Sequence, residues 1–102
     1  MQIARVKGTV VSTNKAEKLL GLKLLIVVPI DLSNFEEKGQ PIVAIDTVGA
    51  GVGEVVILCS GSSSRQTALT ENKSSDMAIV AIIDSIELNG SIIFRKSQET
   101  KV

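Results

Sequence analysis

The sequence predicts a small all-β barrel of five strands, with short loops and at most one short helical turn, and three observations lead there. The 102 residues suit one domain, because two separate cores would each be too small to offset the entropy of ordering the chain. Ile, Val and Leu are plentiful while the aromatic residues are only Phe35 and Phe94, a β-branched composition that suits a pleated, half-buried surface. No long segment repeats its apolar residues at the 3.6-residue period of an amphipathic helix, whereas five short runs are each bounded by glycine, proline, serine or asparagine.

The first run, Ile3 to Thr13, spaces Arg5 and Lys7 among apolar residues and so lacks the continuous apolar stretch of a secretion signal. The second, Leu22 to Ile30, puts Leu22, Leu24, Ile26, Val28 and Ile30 on one face and Leu25 and Val27 on the other. The apolar stretch that contains it is interrupted by Lys23 and is far shorter than the ~20 residues that span a bilayer as a helix. In the next loop Ser33 and Glu36 have capping-box spacing, and Gly39 could stop a single helical turn over Ser33 to Lys38. The third and fourth runs are Ile42 to Val48 and Glu54 to Ser60. The fifth, Met77 to Leu88, sets Met77, Ile79, Ala81 and Ile83 against Ala78, Val80, Ile82 and Ile86. Asn89-Gly90 then favours a tight hairpin into a short sixth strand, Ser91 to Arg95, since both residues tolerate positive φ. The expected domain is residues 1–95, with 96–102 as a flexible tail, and the polar segment Gln66 to Asp76 reads as an exposed loop.

Two of these strands are apolar on both faces. A barrel of this length with no helices on its outside cannot hide both, so the second face should meet another subunit.

Charge and residue chemistry narrow the function classes. Eleven Lys and Arg balance eleven Asp and Glu, and neither sign forms a long block, so no broad field draws in nucleic acid or an anionic membrane. With no histidine in the chain, Ser62, Ser63 and Ser64 cannot enter a Ser-His-Asp arrangement, and one cysteine with no ladder of acidic residues makes a poor metal site. No catalytic residue, cofactor or metal is expected. Cys59, in the apolar run that begins at Val55, reads as a buried thiol suited to a reducing cytoplasm. An OB-like barrel that binds single-stranded nucleic acid stacks bases on aromatic rings beside a basic groove; two phenylalanines and zero net charge leave a nucleic-acid-binding or small-ligand-binding module as the alternative.

The sharpest local feature is Asp46-Thr47-Val48-Gly49-Ala50-Gly51-Val52-Gly53-Glu54. A dinucleotide-binding loop would need its third glycine one place later and a helix directly after it, and both are missing. Alternate glycines permit positive φ and close backbone approach, as where symmetry copies converge on an axis, or as in a tight turn inside one subunit. A second motif, Gly61-Ser62-Ser63-Ser64-Arg65, reads as a turn whose serines satisfy loop backbone groups and whose Arg65 makes a fork-like bond to a carbonyl or to a carboxylate such as Asp46, Glu54 or Asp84.

Five ordered blocks extend the pattern: Ala4 to Thr13, Gly21 to Leu25, Ala44 to Glu54, Gly61 to Arg65 and Asp76 to Asp84. In order and spacing they resemble the EutN/CcmL family of bacterial microcompartment shell proteins, with Ser64 departing where that family often has alanine. The resemblance implies an OB-like barrel that is structural and not enzymatic. It implies a homopentamer shaped as a truncated pyramid, capping the vertices of an icosahedral shell in the bacterial cytoplasm. Hexagonal shell proteins would be its partners, with no nucleic acid, membrane or cofactor involved. It also implies that Gly49, Ala50 and Gly51 lie near the five-fold axis or a subunit seam, with Glu54, Ser62, Ser63, Ser64 and Arg65 anchoring the adjacent loops or interface.

Overall fold

In a computed structural model, residues 1–11, 23–60 and 77–99 are described. They form eight strands and one helical turn: β1 (Gln2–Val10), β2 (Lys23–Asp31), β3 (Glu36–Glu37), β4 (Ile42–Asp46), β5 (Val55–Ser60), β6 (Met77–Ile82), β7 (Ser85–Leu88), β8 (Ser91–Arg95) and α1 (Lys96–Glu99). Five strands pair in the cyclic order β1-β5-β6-β4-β2 and back to β1. This is the expected barrel, and closure leaves none of the five with a free edge. Only β4 and β6 run parallel among the described pairings.

The interior is built from small and medium aliphatic side chains. Ala4 and Val6 of β1, Leu25 and Val27 of β2, Ala44 of β4, Val56 and Leu58 of β5 and Ile79 of β6 are all buried in one cluster. In β2 the shorter apolar set, Leu25 and Val27, thus faces inward, while Leu24, Ile26 and Val28 remain half-buried on the outside. A five-stranded barrel has little interior volume, and the small side chains of Ala4 and Ala44 suit that space. Cys59 is a buried free thiol, paired in register with Ala78.

The fifth run is not one strand. It breaks at Ile83 and Asp84, where β6 ends and the chain leaves the barrel for the β7-β8 hairpin. The Ile83 amide donates to the Val55 carbonyl at 2.8 Å, and the Ile83 side chain turns toward Phe94 and Val55. Tertiary packing therefore interrupts an apolar pattern that is continuous in sequence. The hairpin turn itself is as expected, with Asn89 at φ 55° and Gly90 at φ 82°.

The helical turn expected over Ser33 to Lys38 is replaced by a non-helical turn leading into β3. Asp31 Oδ1 accepts from both the amide and the hydroxyl of Ser33, at 2.9 and 2.7 Å, and Phe35 takes φ 55°, which a right-handed helix forbids. That backbone places the Phe35 ring against Phe94, centroids 5.3 Å apart. The helical turn of the described residues lies instead at Lys96–Glu99.

A second apolar cluster, of Ile30, Val55 and Phe94 with Ile3, Phe35, Ile83 and Ile86 packed against it, fastens the hairpin to the barrel's outer side. Arg5, which pairs with Val55 across β1 and β5, points outward between the interior residues Ala4 and Val6. Its guanidinium lies 5.7 and 6.0 Å from the centroids of Phe35 and Phe94, a cation–π arrangement.

Candidate functional site: the glycine loop

The loop from Thr47 to Glu54 joins β4 to β5 and is held by two carboxylates that grip its backbone amides and by bonds to β1, β2 and β6. Asp46, the last residue of β4, is buried; its Oδ1 accepts from the amides of Val48 and Gly49, and its Oδ2 from Ala50, each at 3.0 Å. A buried carboxylate is costly unless hydrogen-bonded, and three amides satisfy this one. Lys23 adds a cation 3.8 Å from Asp46 Oδ2 and donates to the Ala50 carbonyl at 2.9 Å. Thr47 Oγ1 donates to the Ile79 carbonyl at 2.7 Å, tying the loop to β6.

Glu54 repeats the device at the loop's far end. Its Oε1 accepts from the Gly51 amide at 2.7 Å, and its Oε2 meets Lys96 Nζ at 2.6 Å. The Lys96 ammonium first, and the Gly51 amide second, hold the Glu54 carboxyl below its ordinary range. The same contact raises Lys96. Backbone bonds complete the frame: Gly53 N–H donates to Val6 O at 2.8 Å and Val6 N–H to Glu54 O at 2.9 Å, while Arg5 donates to Gly53 O at 2.9 Å.

The three glycines have different reasons to be glycine. Gly49 and Gly53 sit at φ 82° and 95°, a left-handed region that side chains rarely adopt. Gly51 does not, and a Cβ built on it would meet only Glu54 Oε1, at an ordinary 3.7 Å. Nothing within the described subunit demands glycine at 51. Ala50 is fully buried and belongs to the barrel's interior cluster, so the loop's outward surface is made by Thr47, Val48, Gly49, Val52 and Gly53, with Val52 62% exposed and Gly51 half-buried.

The structure thus brings Gly49, Ala50, Gly51 and Glu54 together. Ser62, Ser63, Ser64 and Arg65 lie outside the described residues. The anchors that sequence reasoning missed are Lys23, Arg5 and Lys96. Lys23 carried a signal, as a cation interrupting an apolar strand; Lys96, in the expected tail, carried none.

The barrel is closed, it carries exposed apolar side chains on its outside, and the loop's two acids are engaged by its own amides and by Lys23 and Lys96, an arrangement suited to assembly. Comparison with known proteins gives the same class. The family model described as "Ethanolamine utilisation protein EutN/carboxysome" matches residues 1–84. The carboxysome shell vertex protein CcmL of Nostoc sp. is 40% identical over 99 residues, spanning 97% of this chain and 98% of that protein. The structure of Gloeobacter violaceus CcmL superposes with a TM-score of 0.83 at 38% identity, covering 95% of this chain and 99% of that one. GrpN, a pentameric microcompartment shell protein from Rhodospirillum rubrum, gives 0.73 at 44% identity, covering 86% and 99%. The chain belongs to the EutN/CcmL family; it is a structural shell vertex protein of the microcompartment class and not an enzyme.

Proposed function

We propose that five copies of this chain close head to tail into a ring that caps a vertex of a polyhedral microcompartment shell in the bacterial cytoplasm, with hexagonal shell proteins around it. A flat hexagonal sheet cannot curve shut without five-fold defects, and a five-membered ring supplies one. The observation that carries the reading is the apolar outside of the barrel. Val43 is 53% exposed and Val80 39%, and an open groove of about 530 Å³ is lined by Met1, Ile3, Ile30, Leu32 and Ile57 among others. A head-to-tail interface joins two different patches and forms a ring when its rotation closes. Pentameric relatives support the number five.

In this reading Gly49, Ala50 and Gly51 form the stretch nearest the axis or seam. Ala50 anchors the loop from within its own barrel, and Gly51 offers bare backbone to the neighbour. Glu54, with Ser62, Ser63, Ser64 and Arg65, anchors the surrounding loops. A nucleic-acid role is not favoured, since Phe35 and Phe94 are stacked on each other under Arg5 and do not form a platform for bases.

Electron microscopy of shells assembled with and without this chain tests the role. Closed polyhedra should require it. Equally closed shells in its absence would contradict it.

A further inference from the structure

The family model ends at Asp84, within a chain that CcmL of Nostoc sp. matches over 97% of its length, and the glycine loop is held from beyond that point. Glu54 Oε1 takes the Gly51 amide and Oε2 takes Lys96 Nζ, so one carboxylate is stretched between the loop and the residue that follows β8. Both ends of this link are fixed. On the loop side, the Glu54 amide donates to Gly51 O at 3.1 Å and its carbonyl accepts from Val6, and Val55 beside it is buried. On the hairpin side, the Lys96 amide donates to Asp84 O at 2.8 Å, closing the hairpin's base. Two residues earlier Phe94 is buried against Phe35, Ile30 and Val55. A lysine whose backbone is pinned loses less freedom on forming an ion pair than one on a loose tail, and hydrogen bonds between ionised groups are about twice as strong as neutral ones.

We infer that Lys96 is a positioning residue for the glycine loop: by holding one oxygen of Glu54 it orients the other onto the Gly51 amide. The β7-β8 hairpin thereby sets the loop conformation that a neighbouring subunit meets. The consequence for a neighbour rests on the ring proposed above; the link from Lys96 to Gly51 does not.

Amide hydrogen exchange on the full chain, followed by NMR for wild type, Lys96→Met and Lys96→Arg, tests the link. The Gly51 amide should exchange several-fold faster in Lys96→Met, by local opening, and Lys96→Arg should restore most of its protection. The Val6 and Gly53 amides, which donate to backbone carbonyls, should not change. Equal Gly51 exchange in wild type and Lys96→Met overturns the inference, as does failure of Lys96→Arg to restore protection. Native mass spectrometry of the same samples separates the two proposals. A monomeric wild type whose Gly51 still responds contradicts the ring and supports the link; a pentamer whose Gly51 does not respond does the reverse.

Discussion

The barrel interior and the glycine loop lie side by side, and they are specified by different physics. The interior is aliphatic and packed on every side, with Leu25, Val27, Leu58 and Ile79 at 0% exposure, so its stability comes from buried apolar area and close contact. The loop has a single interior side chain, Ala50, and is shaped by two carboxylates that collect backbone amides. Apolar packing tolerates exchange of one hydrocarbon for another; a carboxylate that accepts three amides has no substitute of the same geometry. The barrel should therefore yield mainly to loss of volume and the loop to loss of particular atoms.

The largest effect expected from breaking this contrast is on the interior side. Leu25→Ala removes a fully buried side chain and should cost about 2–5 kcal/mol, read by urea unfolding. Asp46→Ala, which strands the amides of Val48, Gly49 and Ala50, should cost about 1–3 kcal/mol while barely changing buried apolar area. An Asp46→Ala variant as stable as wild type would show that the loop is held by packing after all.

The contrast sharpens within the loop itself. Gly49→Ala forces a side chain into the left-handed region and should cost roughly 1–2 kcal/mol in the isolated subunit. Gly51→Ala, with room for its Cβ and no such φ, should leave subunit stability unchanged or raise it by up to ~1 kcal/mol, yet weaken the ring. If Gly51→Ala leaves ring stability intact as well, the crowding assigned to Gly51 is absent.

The smallest effect is that of pH, silent near neutrality. Glu54 titrates below its ordinary value of 4.5 because Lys96 and the Gly51 amide favour its charged form. Its contribution is present above 4.5 and is lost as pH falls through the lowered value. Lys96 titrates above its ordinary 10.5, so its share is complete below 10.5 and is lost as pH rises through the raised value. Protection of the Gly51 amide, corrected for intrinsic exchange, should be level between these limits and fall outside them.

The same division decided what was legible in the sequence. Strand positions could be read because β-branched runs end at glycine, proline and serine, and the Asn89-Gly90 turn because its two residues tolerate the φ it needs. Which face of β2 points inward could not be read, since both faces are apolar and the choice depends on how little space five strands enclose. The break at Ile83 was hidden inside an unbroken apolar run, being set by Phe94 and Val55 from elsewhere in the chain. At Phe35 the pull of a partner ring overrode a capping-box pattern. The glycine motif announced a special backbone, but the reach of Lys96 to Glu54 joins distant segments and leaves no local trace.

The proposal that this barrel closes a ring with its own copies can be read by native mass spectrometry of the full chain at micromolar concentration. The predicted result is a single dominant species of five subunits; a monomer under the same conditions would contradict the claim.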